Sequence, residues 1–358
     1  MAKNKFSNNS AQAVEADLVL NDGPQLSRGE KFRRALKAQN GWLFVAPALV
    51  LMLVFTFYPI VAAFINAFKL QYNNMTGMYN GWGFENFIRV LKGDTGTGGA
   101  SFIQCLVNTL VFTIVSVPLS TLLALLISVA LNSIKAIQKA YQTILFLPYL
   151  TNALAMGAVF ATFFNIIGTP EQIALNKGTI GIINIIGGWF GIPAIDWIYN
   201  INGEISATFT IGALTIPWAK YIVVIVYEVW SGLPFKILIL FSALQSINKQ
   251  YYDAAKVDGA SRNTVLWKIT APMISPQISY LLVTGIMGGM KQYTAVVGLF
   301  GKDMGMDYDM GTMVGYIYQY IGQGEAGYAF AGSLLLFVII MVITVINNSI
   351  TKKHTTYR

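Results

Sequence analysis

Residues 251–272 read YYDAAKVDGASRNTVLWKITAP, the longest charged interruption in the second half of a very apolar chain. The run IVVIVYEVWSGLPFKILILFSAL lies before it and ISYLLVTGIMGGM after it. Tyr251–Asp258 predicts a short helix, because Ala254 and Ala255 are strong helix formers. Gly259 supplies a break, since glycine adopts helix-ending backbone angles at little cost. Ser261 has the chemistry to cap a second short helix reaching Ile269. Pro272 is expected in the first turn of the span that follows, where its missing N–H costs little. The product is a helix–glycine–helix elbow on a membrane surface, small at its Ala and Gly positions and charged at its rim. That shape suits a partner's groove better than it suits catalysis.

Working outward, the 358 residues are 55% hydrophobic and 11% charged, with a mean hydropathy of +0.56. Soluble domains carry about 25% charged residues. The deficit predicts an all-α integral membrane protein, since apolar runs of about 20 residues are the length of spanning helices rather than barrel strands. Six spans are expected: Trp42–Phe68, Phe102–Leu131, Tyr141–Ile167, Phe209–Trp230, Ser275–Phe300 and Tyr328–Ile350. Residues 207–247 exceed one straight span, so a bend is placed at Ser231–Pro234. The domains are then a cytoplasmic tail (1–41), a transmembrane domain (42–350) that holds the elbow at 251–272, and a second tail (351–358). Within the first tail, Ser27 and Glu30 have capping-box spacing, and KFRRALKAQ has the composition of an amphipathic surface helix. A cleaved signal peptide is not expected.

Basic residues set the orientation. With the N-terminus inside, 16 of the 24 Lys and Arg fall in inner segments, and five (Lys69, Arg89, Lys92, Lys177, Lys302) fall in outer loops. This matches the positive-inside rule, puts the elbow in the cytoplasm, and accounts for the net charge of +8 without nucleic acid. The single Cys105 and the single His354 exclude an internal disulfide, a cysteine-rich metal cluster and histidine catalysis inside the membrane.

Three cations and one carboxylate stand in apolar runs. A charge at a span's centre costs about 2.5–3.5 kcal/mol on insertion scales, so each needs a wet cavity, a partner or an exit. Lys220 and Glu228 either line a translocation path or reach the two membrane surfaces; Lys236 is expected to snorkel. Lys291, Gln292 and Tyr293, after Gly288-Gly289, read either as a hydroxyl-binding group on the substrate path or as a polar helix contact. Tyr316, Tyr318 and Tyr320 are expected at the interface. Trp82, Phe84, Trp189 and Trp197 are expected to pack outer loops, with contact to a binding protein as the second reading. Asp303, Asp307 and Asp309 miss the calcium-loop spacing, so no metal site is assigned.

Asp253-Ala-Ala-Lys-Val-Asp-Gly-Ala260, followed by Ile269-Thr-Ala-Pro272, resembles the coupling loop of permease subunits of ABC importers, whose pattern is roughly E-A-A-x-x-D-G-A and then I-x-L-P. Asp253 stands where Glu is usual, Ala271 where Leu is, and Leu266 where Phe is common. FVAPALVLMLVFTFYPI, Asn108-Thr109-Leu110, LFLPYL, GIINIIGGWFGIPAIDW, WSGLPFKILILFSALQSI and GYAFAGSLLLF are similar, in order and spacing, to the sugar-importer branch, covering about Trp42 to Asn348. The resemblance implies a six-helix permease core in a bacterial or archaeal cell membrane, with both termini cytoplasmic. It implies a second, similar permease, a pair of ATPase subunits and an extracellular solute-binding protein. Asp253, Ala254, Ala255, Asp258, Gly259, Ala260, Ile269 and Pro272 would then contact the ATPase. No G-x-x-x-x-G-K-[ST] phosphate loop exists here, so ATP and Mg belong to the partner and the chain is not expected to be an enzyme. A transporter driven by an ion gradient is the alternative; it draws on Lys220, Glu228 and Lys291 but lacks a visible internal repeat.

Overall fold

The computed structural model describes residues 29, 42, 44–93, 101–134, 138–167, 179–198, 208–211, 214–304 and 309–354. The Ser27–Glu30 capping box, the basic stretch after it, Lys177 and Asp307 lie outside the described residues. The chain divides into two units, Met1–Ala63 and Phe64–Arg358. Most of the first helix, α1 (Phe44–Ala67), belongs to the first unit. Pro59 does not break α1: a wide turn at Leu53–Phe57, with the Tyr58 N–H on the Leu53 carbonyl, precedes it. The extra residue in such a turn shifts the carbonyl register ahead of the proline ring.

In the second unit, α2 (Glu85–Lys92) is followed by α3 (Phe102–Ser133), a 32-residue helix about 48 Å long at 1.5 Å per residue. Among the described residues, four helices are long and apolar enough to cross a membrane: α1, α3, α7 (Trp218–Gln245) and α13 (Ala326–His354, apolar over Ala326–Ser349). Two bent pairs bring the number to six if each pair is one span. The first pair replaces the expected straight span 141–167. Here α4 (Gln138–Phe146), extended by a tight turn at Leu147–Leu150, meets α5 (Ala153–Phe164) at 100°. Pro148 and Asn152 cause the break, and the Asn152 side chain accepts the Leu154 and Ala155 N–H groups at 2.9 and 3.3 Å. The second pair is α9 (Arg262–Met273) and α10 (Ser275–Gly289), bent by 70°. The placement of Pro272 is therefore corrected: it lies at the end of α9, preceded by a second wide turn at Leu266–Thr270, and Pro276 takes the first-turn position of α10 expected of Pro272.

Among the described residues, two small antiparallel ladders interrupt the helices. The first pairs β1 (Ile166–Ile167) with β2 (Thr179–Ile180) and leads into α6 (Ile182–Trp189). The second pairs β3 (Thr208–Ile211) with β4 (Leu214–Pro217). TFTI and LTIP alternate around a two-residue link, which favours a hairpin over a helix. The expected span Phe209–Trp230 is corrected accordingly: α7 starts at Trp218 and runs unbroken through Pro234 to Gln245. Pro234 is buried among neighbouring helices, which lets the helix continue past a residue that lacks its N–H.

Among the described residues, three apolar clusters fasten α3 to the rest, two of them together with α7. Phe112, Tyr221, Tyr227 and Leu299 join α3 and α7 to α5 and to α11 (Thr294–Phe300). Ala124, Leu125, Leu240 and Leu244 join them to Ile274 and Leu281 at the elbow end. Phe102, Tyr316, Tyr320 and Tyr328 join α3 to α13 and to α12 (Met313–Gly322). The interfacial placement of Tyr316 and Tyr320 is thereby corrected: both are buried and pack on Phe102 and Tyr328, while Tyr318 alone is exposed. Trp197 packs as expected, donating to Asn184 Oδ1 at 2.9 Å, whereas Trp189 is left exposed.

The crossing of α5 with α11 depends on two glycines. A Cβ on Gly157 would stand 2.8 Å from the Gly298 Cα, and one on Gly298 would stand 2.7 Å from the Leu154 carbonyl oxygen. Backbone cannot rotate aside as a side chain can. Gly157→Ala is expected to cost about 1–3 kcal/mol of unfolding free energy in detergent. Gly188→Ala, which meets nothing within 4 Å, is the neutral control.

Candidate functional site

The elbow forms as its sequence predicts. In α8 (Lys249–Val257), the Asn248 side chain caps the start by accepting the Gln250 N–H at 3.0 Å. Gly259 ends it at φ +69°, with the Ala260 N–H on the Ala255 carbonyl at 2.9 Å. Ser261 Oγ accepts the Thr264 N–H at 3.2 Å and opens α9.

Tertiary packing then gives the elbow two faces. Ala255 is buried, Tyr252 packs against the cluster at the adjacent ends of α3 and α7, and the Tyr252 and Thr270 hydroxyls lie 3.3 Å apart. Ala260 and Ile269 are half-buried. Asp253, Ala254, Asp258, Gly259 and Pro272 are exposed. A Cβ on Gly259 would meet nothing within 4 Å, so only the backbone angle demands glycine there. Two apolar side chains missed by pattern reading are also bare: Val257 is 88% exposed and Trp267 is 48% exposed. An apolar residue at the tip of a charged segment is their one sequence signal.

Inside the bundle, Lys220, Glu228 and Lys236 follow one another along α7 at eight-residue steps, about 12 Å of rise each. Each meets a different element. Lys220 Nζ pairs with Asp309 Oδ2 at 2.8 Å. Gln292 Nε2 donates to Glu228 Oε1, while Gln292 Oε1 accepts the Tyr293 N–H at 3.2 Å. Lys236 Nζ donates to the Val117 carbonyl at 3.1 Å and to Ser120 Oγ on α3. Snorkelling of Lys236 is therefore corrected: the packed α3–α7 face supplies acceptors, so the ammonium stays buried. The outward exit considered for Lys220 is likewise replaced by the ion pair.

Asn108 ties the Asp309 segment down. Its Nδ2 donates to the carbonyls of Asp309 and Gly311 at 2.9 and 2.8 Å, and its Oδ1 accepts the Tyr221 hydroxyl at 2.5 Å. Beside it, Thr109 Oγ1 accepts the Met313 N–H at 3.0 Å. These two residues are the Asn-Thr of the N-T-L pattern, which here clamps a segment 201–204 positions away.

Residues 99–355 match the profile of a family described as binding-protein-dependent transport system inner membrane component. The chain belongs to this family. The permease is 26% identical over 307 residues to the arabinooligosaccharides transport system permease protein AraP of Halalkalibacterium halodurans, covering 85% of each chain. It is 27% identical over 304 residues to the lactose transport system permease protein LacF of Rhizobium radiobacter, covering 85% of this chain and 90% of that one. In fold it is similar to a chain of a bacterial alginate ABC transporter solved with an alginate pentasaccharide-bound periplasmic protein. The TM-score is 0.68 and the identity 22%, over 89% of this chain and 96% of that one.

Of the five residues considered for a substrate path in the permease, Glu228 and Gln292 meet directly. Tyr293 stacks on Tyr318, with ring centroids 4.6 Å apart and planes 28° apart. Lys291 is exposed, and Lys220 belongs to the separate Asp309 cluster. The Gly-Gly step before Lys291 does permit close packing: a Cβ on Gly289 would lie 2.7 Å from Thr113 Oγ1. Lys220→Met is expected to destabilise the detergent-solubilised permease by about 2 kcal/mol. This falls below the roughly 3–5 kcal/mol of a fully buried broken pair because 29% of the Asp309 side chain stays exposed. Adding Asp309→Asn should recover most of that loss in a double-mutant cycle.

Proposed function

We propose that this chain is one of two permease subunits of an ATP-driven, binding-protein-dependent importer of a carbohydrate, and that its elbow seats in a cleft of an ATPase subunit. The observation that carries this reading is the division of the elbow. Ala255 and Tyr252 anchor it to the bundle, while Asp253, Ala254, Val257 and Asp258 present a bare, mixed apolar and acidic face. A lever needs both a firm root and a free contact. ATP and Mg act in the partner subunits; their closure pushes the elbow as a rigid body and switches the packing of the spans. The termini and the elbow lie inside, in keeping with the Lys and Arg bias. Delivery by an extracellular solute-binding protein follows from the family, and the carbohydrate class from the oligosaccharide and lactose permeases it resembles. Glu228, Gln292 and Tyr293 are the residues best placed to offer polar and ring contacts to a passing solute.

A tagged copy expressed from its own genome should co-purify with an ATPase and a second membrane subunit. Recovery of a transport-competent complex containing this chain alone would overturn the reading, and uptake that ignores ATP but collapses with the ion gradient would favour the alternative.

A further inference from the structure

A cleft of about 450 Å³ lies on the anchored side of the elbow, between it and the ends of α3 and α7. Its walls are largely apolar, with Val129 of α3, Leu244 of α7, and Val265 and Leu266 of α9. Two cations, Lys256 and Arg262, stand on either side of Gly259 and also line it. Neither takes part in the ion pairs seen among the described residues at Arg89–Glu85 and Lys220–Asp309. Asp258, between the two cations in sequence, is not part of the lining. One turn before Val129, Leu126 is exposed, so the apolar wall continues along α3 onto the outer surface of that span.

We propose that this cleft holds the headgroup of an anionic phospholipid from the leaflet on the elbow side, with its first acyl methylenes against Val129, Leu244 and Leu266 and its phosphate between Lys256 and Arg262. The volume is in the range of small-ligand pockets, about 300–1,000 Å³. The charge selects an anion, since basic residues at the cytoplasmic surface attract acidic headgroups. The apolar wall selects an amphiphile over a free phosphate, because a soluble anion gains nothing from Val129 or Leu266. Continuity with the exposed face of α3 at Leu126 gives a lipid a route in from the side. A headgroup seated there bridges α8 and α9 to the bundle and so stiffens the root of the elbow. The inference concerns the anchored side and goes beyond the reading of the bare one.

The test uses the purified full chain, with whatever subunits accompany it, in phosphatidylcholine nanodiscs carrying a trace of photoreactive phosphatidylglycerol. Cross-linking should map to peptides spanning 252–266. Lys256→Gln or Arg262→Gln should weaken phosphatidylglycerol retention about fivefold, and the pair about thirtyfold. Lys256→Arg should retain it. Val129→Trp, which fills the cleft and leaves both charges, should abolish the cross-link. Unlabelled phosphatidylglycerol should compete, and phosphatidylcholine of the same chains should not. Equal retention by the double glutamine variant, or competition by soluble glycerol phosphate as strong as by the intact lipid, would overturn the proposal.

Discussion

Deleting Asp253–Ala260 is expected to abolish solute uptake while the chain still inserts in the membrane. The deletion removes the left-handed turn at Gly259, the buried Ala255 and the whole bare tip. Force from a partner would then reach no rigid element. Because the deletion also removes packed residues, a surface-only variant separates docking from folding. Ala254→Arg with Val257→Glu changes two exposed positions and leaves Ala255 and Tyr252 in place. It should lower ATP-dependent uptake in proteoliposomes and ATPase recovery by at least about tenfold, the factor that about 1.4 kcal/mol of lost contact gives. Its thermal unfolding should stay within error of the unsubstituted chain. Ala255→Trp should do the reverse and lower stability first, since there is no room for an indole at a buried alanine. Normal uptake by the deletion would end the lever reading.

Asn108→Leu is expected to be the most damaging single substitution in the bundle. It is nearly isosteric, so packing changes little. Yet it strips the donor from two carbonyls, Asp309 O and Gly311 O, and the acceptor from the Tyr221 hydroxyl. Each buried group left unpaired costs about 1–3 kcal/mol, so roughly 3–5 kcal/mol is expected in total after local relaxation. The damage should be localised. Amide hydrogen exchange at 309–313 should accelerate well before that of α3, because Asn108 and Thr109 are what hold this segment down. Thr109→Val, which removes one acceptor for the Met313 N–H, should cost about 1–2 kcal/mol. A stability for Asn108→Leu within about 0.5 kcal/mol of the unsubstituted chain would show that the clamp does not matter.

Much of the elbow is legible in the amino-acid sequence, because its determinants are local. Gly259, the Ser261 cap and the helix before them all lie within a few residues of the bonds they make. Apolar run length likewise announces α3, most of α7 and α13. The polar interior is not legible in the same way. Lys236 and Asp309 are each bonded to α3 or α7 across 89 residues of chain or more, and the face a helical side chain presents depends on what packs there. The sequence offers Asp309 only as a metal ligand of the wrong spacing and Asn108 only as part of a pattern, since neither's partner is a sequence neighbour.

What the sequence alone determined is a helical membrane chain with a glycine-jointed elbow between apolar spans. Hydrophobic run length, glycine angles and capping are properties of short segments. What the tertiary structure decided is which side of the elbow is rooted and which is bare, that α7 continues through Pro234, and that its three charges turn inward. Those outcomes depend on acceptors and walls supplied by distant helices, whose energies no short segment carries.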